Sequence, residues 1–352
     1  MVTETKKRYA YMDFIRIAAV FLVIVNHTNS AVYQASSPDR ITWWLSIVWY
    51  YTSKIGVPLF VMVSGACLLP KVDTYKKTGK RLLRIGIVLV LFSYLYFIVD
   101  VIQGYGGVKD ALNLLGFIKS IWKAPITDSF WYLYFYLGLM LMLPWLQRLA
   151  KTMEKRDLQF LILLSLGLGA AWPLIEHYVP ALIISGYFTV PLFAVYLGIF
   201  FMGHYIHTYG EKINNYLCVT VTVLSLAASA LLTYGEYIKI NGAGSYWFMD
   251  DRTAPSIFII LCAGAVMMLA KNTINASGKP SKNRLQTLGG CAFGIYLIQD
   301  FIIEQTQNSL FVPLSQSIHS FTAVLLWEIG VFAAALLVIW LLRKLRWVRK
   351  LI

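Results

Sequence analysis

Apolar residues run along this chain in stretches of about twenty, separated by short polar segments in which Lys and Arg collect. A helix rises ~1.5 Å per residue, so a stretch of that length crosses the ~30 Å hydrocarbon layer of a bilayer. The pattern predicts ten spans, at 12–34, 46–69, 84–103, 129–148, 158–175, 181–207, 216–234, 254–270, 287–306 and 320–342. It therefore predicts an all-α integral membrane protein, with residues 1–352 forming one transmembrane domain. The longest connections, 104–128 and 235–253, are too short for a separate soluble domain. Their aromatic and glycine content fits partly structured caps and plain connectors equally well. The first apolar stretch has the outline of a secretory signal, with KKR before it and NSAVYQAS after it. It is longer than a signal core and holds Arg16 and His27, so it is expected to be a retained first span.

Composition agrees: 58% of the 352 residues are hydrophobic and 14% charged, with a mean hydropathy of +0.64. A formal charge of +14 would suggest a nucleic-acid partner for a soluble protein. Here the basic residues lie in short loops between apolar runs, which is the signature of membrane orientation, and no nucleic-acid partner is expected. With the N-terminus in the cytoplasm, 23 of the 31 Lys and Arg fall in cytoplasmic segments, seven fall outside, and Arg16 lies within the first span. One missed span would invert every later loop, so the split supports ten spans with both termini cytoplasmic. The four cysteines lie in or beside apolar segments with no metal-ligand spacing, so neither a disulfide frame nor a metal site is expected. No internal repeat is evident, which argues against the inverted-repeat transporters.

The chemistry concentrates in DFIRIAAVFLVIVNH, residues Asp13 to His27. Arg16 and His27 are eleven residues apart, which places them on nearly one helix face, roughly 16 Å apart along the axis. Asp13 can pair with Arg16 at i,i+3, which gives that arginine a purely structural reading. An imidazole within a span marks a polar cavity, and near neutral pH it can take a proton from a hydroxyl and return it to a leaving group. The cluster KKTGKRLLR before the third span offers Arg81 and Arg84, together with Arg16, to the phosphates of an acyl donor. Basic residues there also satisfy orientation. Trp131, Tyr132, Tyr134 and Tyr136 read as an aromatic belt or as a sugar-stacking surface. Asp300 and Glu304, one turn apart, could orient His27, bind acceptor hydroxyls, or lie at the outer headgroups. A rival reading makes these ionisable groups the relays of a proton-coupled secondary transporter.

The R-x10-H spacing, with VPLFVMVSGACLL, RLLRIGIVLVLFSY, FWYLYFYLGLMLMLPWLQ and AFGIYLIQDFII, resembles the acyltransferase family 3 membrane enzymes. Within that family the chain looks most like bacterial O-acetyltransferases of surface polysaccharides. The resemblance implies a ten-span enzyme of the bacterial cytoplasmic membrane that uses acetyl-CoA as donor and a glycan or other hydroxyl as acceptor. It further implies that His27 is the catalytic histidine and Arg16 its partner. Ser64 and Gly65 would be the family's S-G, Arg84 part of its basic motif, and Trp131 its tryptophan. Gln299 stands where the family commonly has histidine. Ser64-Gly65 has a simpler reading as a close-packing site. Ser64, Trp131, Tyr134 and Asp300 are the expected substrate contacts. A homodimer is allowed by the sequence and not required by it.

Overall fold

The computed structural model describes residues 9–28, 32, 36, 39–104, 113–184, 195–210, 213–239, 256–274 and 283–352. In chain order the helices are α1 (Ala10–Thr28), α2 (Ile41–Lys54), α3 (Gly56–Leu68), α4 (Tyr75–Ile102), α5 (Leu114–Lys123), α6 (Trp131–Thr152), α7 (Lys155–Leu166) and α8 (Trp172–Tyr178). They continue with α9 (Val195–Tyr209), α10 (Asn215–Lys239), α11 (Ile257–Ile274), α12 (Asn283–Thr306), α13 (Val312–Ser317), α14 (Ser320–Leu342) and α15 (Arg346–Leu351). Nine spans among the described residues are long and apolar enough to cross a membrane. The second runs over Ile41–Leu68 as α2 and α3, with Ile55 between them. The spans Lys155–Tyr178 and Arg284–Ser317 each contain a widened π turn, at Gly167–Ala171 and Gln307–Phe311. The remaining expected span, 181–207, is described only in part, as residues 181–184 and as α9, because residues 185–194 lie outside the described set.

Helix α1 is the axis of the bundle, touching α2, α3, α11, α12 and α14. Its apolar residues are accordingly buried around most of its circumference, with Ile15, Ala19, Val20, Ile24 and Val25 at most 1% exposed. Without a hydrophobic force between helices in lipid, close packing must come from small residues. A side chain on Gly65 would collide with the Phe200 carbonyl, and one on Gly203 would collide with the Met62 backbone, so α3 and α9 meet backbone to backbone. A Cβ on Gly56 would lie 3.0 Å from the Ala19 carbonyl, so α3 also packs closely on α1, though less tightly than on α9.

Helix α4 begins at Tyr75, well before the apolar run that starts near 84, because the basic cluster is itself helical. The Thr74 side chain caps it by accepting from the Lys77 N–H. Between α5 and α6 the Tyr134 phenol donates to the carbonyl oxygens of Ile121 and Ala124, tying the amphipathic α5 to the start of α6. Trp122 on α5 is 86% exposed. On the side that the charge pattern assigns to the cytoplasm, Lys271 caps the end of α9 by donating to the carbonyls of Ile206, His207 and Gly210.

Candidate functional site

A cavity of about 1280 Å³ runs alongside α1 and is lined by residues from both ends of that helix, Tyr9 and Met12 at one and Asn26 and His27 at the other. The eighteen residue steps from Tyr9 to His27 correspond to ~27 Å of helix, close to the thickness of the hydrocarbon layer. The volume exceeds the ~300–1,000 Å³ usual for one small ligand.

Arg16, Lys71, Arg84, His207, Gly289 and Gly290 line its inner end. Arg16 Nη1 donates to Asp13 Oδ1 at 3.0 Å and Nη2 to Cys67 Sγ at 3.1 Å. The Asp13 pairing foreseen as structural therefore exists, yet the Arg16 side chain remains 29% exposed and faces the cavity. Arg84 has no ion-pair partner among the described residues. The absence of side chains at Gly289 and Gly290 is what lets α12 pack closely: a Cβ on Gly289 would press on Asp13, and one on Gly290 on the Arg343 guanidinium.

His27, Asn26, Lys54, Asp128, Ser129 and Trp131 line the outer end. His27 lines the cavity, and no described residue hydrogen-bonds its ring. Asn26 Oδ1 and Ser129 Oγ are buried and lack partners among the described residues, which is unusual for buried polar atoms and marks a surface suited to a polar ligand. Ser64 lines the middle, together with Tyr132 and Tyr136.

Five of the eight predicted site residues, Arg16, His27, Ser64, Arg84 and Trp131, thus share one cavity. Arg81, Tyr134 and Asp300 do not line it. Arg81 is ion-paired with Asp73, which also takes Lys77 at 2.5 Å and Gln147 Nε2 at 3.0 Å. Asp73 lies in the loop before α4; burial alone would raise its carboxyl, but the hydrogen bonds from Lys77, Gln147 and Arg81 outweigh that and hold it at about 2. Arg81 is thereby committed to the loop. Tyr134 is committed to α5, as described above. Asp300 accepts from Thr127 at 2.8 Å and from the neighbouring Gln299 at 3.1 Å, which fixes the loop that brings Asp128 to the cavity.

Sequence reasoning missed Glu328 on α14. It is fully buried, and it accepts from Thr28 at 2.8 Å and from Trp49 Nε1 at 2.9 Å. A lone carboxylate in the last apolar run was the available signal, since such a charge is costly in a membrane and needs dedicated partners. It also missed His207, whose Nδ1 is 2.8 Å from the Tyr11 hydroxyl and whose ring meets Tyr9 edge-on at 4.8 Å.

A membrane-long cavity with an imidazole that no described residue engages at one end and guanidinium groups at the other suits transfer of a group between the two sides. The family model described as an acyltransferase domain, acyltransferase family 3, matches residues 9–344. The chain belongs to this family. It is a multi-pass membrane acyltransferase, and the matched region takes in every residue of the cavity except Ile352. No curated protein and no solved structure matches this chain.

Proposed function

We propose that this acyltransferase moves an acetyl group from cytoplasmic acetyl-CoA to a hydroxyl of a surface or lipid-linked glycan at the outer face of a bacterial cytoplasmic membrane. The observation that carries the reading is the single cavity joining Arg16 and Arg84 to His27. Arg16 and Arg84 hold the donor phosphates, with Lys71 adding charge at the same end. His27 takes the proton of the acceptor hydroxyl as its oxygen attacks the thioester carbonyl. The carbon–sulfur bond then breaks, and the departing thiolate takes the proton from the imidazolium. Trp131 at the outer end supplies a flat apolar face against which a sugar ring can lie. Arg81, Tyr134 and Asp300 act as scaffold in this reading.

The test uses inside-out vesicles bearing wild type or His27→Ala, supplied with acetyl-CoA labelled on the acetyl group. Free CoA and label in glycan and lipid fractions are both followed. The expected result is label in an acceptor with wild type and a loss of at least ~100-fold with His27→Ala at equal protein level. Equal transfer by both proteins would remove His27 from the mechanism.

A further inference from the structure

Between the cationic inner end and His27, the cavity wall carries three hydroxyls that the mechanism above leaves without work: Ser64 on α3 and Tyr132 and Tyr136 on α6. The two tyrosines are one helical turn apart and their rings are stacked with centroids 5.9 Å apart. Each of the three hydroxyls can donate one proton and accept through its oxygen lone pairs. All three residues are only partly covered, because one side of each faces the cavity.

Their depth follows from α3. Its Gly56 end abuts Ala19 to Val23 of α1, while Cys67 touches Arg16, so α3 runs opposite to α1. Ser64 lies three residues before Cys67, which puts it ~4.5 Å outward of the Arg16 level. Some ~12 Å of the ~16 Å between Arg16 and His27 then remains beyond it. A ligand anchored by phosphates at Arg16 and reacting at His27 must pass these hydroxyls with its connecting chain. In a CoA thioester that chain is the pantetheine arm, which carries a carbinol and two amides. Such groups need both a donor and acceptors from the wall if they are to leave water without loss.

We propose that Ser64, Tyr132 and Tyr136 form a hydrogen-bonding station for the arm of the acyl donor, gripping its polar groups and fixing how far the thioester reaches toward His27. The proposal rests on the reading of the donor as a CoA thioester. It gives Ser64 a binding role beside the packing role of Gly65 and separates Tyr132 and Tyr136 from the aromatic belt at the outer interface.

The experiment titrates wild type, Ser64→Ala, Tyr132→Phe and Tyr136→Phe, each in lipid nanodiscs, with CoA and with 3′,5′-ADP, which keeps phosphates and adenine but lacks the arm. Unchanged melting temperatures show that the variants are folded. The expected result is that CoA binding weakens ~3- to 10-fold in at least Ser64→Ala and Tyr136→Phe, while 3′,5′-ADP binding is unchanged. CoA affinity equal to wild type in all three variants overturns the station, as does an equal loss for both probes. If wild type binds neither probe, the CoA-donor reading itself fails, an outcome distinct from loss of the arm contact alone.

Discussion

Thr28 donates a 2.8 Å hydrogen bond to Glu328, and Thr28 is the residue directly after His27. The carboxylate on α14 thus holds the outer end of α1, and with it the backbone that carries the imidazole. Removing it in Glu328→Ala leaves the Trp49 indole without its acceptor, at about 1–3 kcal/mol, while the Thr28 hydroxyl falls back on the Ile24 and Val25 carbonyls of its own helix and no longer ties α1 to α14. The expected outcome is a lower melting temperature and at least a ~10-fold fall in acyl transfer. Glu328→Gln can serve both partners and is expected to keep most of the stability. Wild-type activity in Glu328→Ala would show that α1 is held by other means.

The two arginines before the third span are expected to separate. Arg84 lines the cavity, whereas Arg81 is paired with Asp73. Arg84→Ala should raise the donor KM ~10-fold with little change in melting temperature, matching the loss of one charge-assisted contact. Arg81→Ala should instead lower the melting temperature and move KM less. Steady-state kinetics on both variants, with thermal unfolding alongside, decide this.

Asp73 gives a pH dependence with a definite sign. Its carboxyl sits at about 2 in the folded protein, below its ordinary value near 4, so its contribution to stability is complete above pH ~4 and is lost as pH falls toward 2. Asp73→Asn should therefore melt ~2–4 °C below wild type at pH 7, with the gap closing between pH 4 and 2. A gap that persists unchanged at pH 2.5 would point to packing and not charge.

Glycines of the same type are expected to behave oppositely according to what surrounds them. Gly65→Ala would drive a methyl group into the Phe200 carbonyl, which no side-chain rotation can relieve. Its expected outcome is loss of folded protein. Gly86 on α4 has open space around it, so Gly86→Ala should be neutral or stabilising by up to ~1 kcal/mol. Yield of monodisperse protein on size-exclusion chromatography compares the two.

The spans were legible because a bilayer imposes a length and an apolar composition that a sequence cannot conceal; the expected 320–342 is α14 to the residue. Helix ends were less so. Hydropathy stops at the first charges, yet α4 continues through Lys76 to Arg84, since backbone hydrogen bonding does not end where lipid does. The Arg16 and His27 pair was legible through helical periodicity alone. Arg81 and Arg84 could not be told apart in the sequence, because what separates them is Asp73, eight residues before Arg81 and meeting it only when the loop folds back. Tyr134 and Tyr136 read alike as belt aromatics for the same reason: two residues of helical rotation send one to the backbone of α5 and the other to the cavity. The expected connection 235–253 lies largely outside the described residues.

The distance between Arg16 and His27 also bears on the electrical cost of the reaction. On the proposed reading the charged nucleotide stays at the cytoplasmic end throughout, and what reaches the outer end is a neutral thioester. The proton taken from the acceptor returns on the thiol, so a neutral ester and a neutral thiol replace a neutral alcohol and a neutral thioester. No net charge then traverses the field, which would otherwise act at ~2.3 kcal/mol per charge per 100 mV. Such an enzyme draws on neither membrane potential nor ion gradient, and the high-energy thioester bond alone drives export of the acyl group.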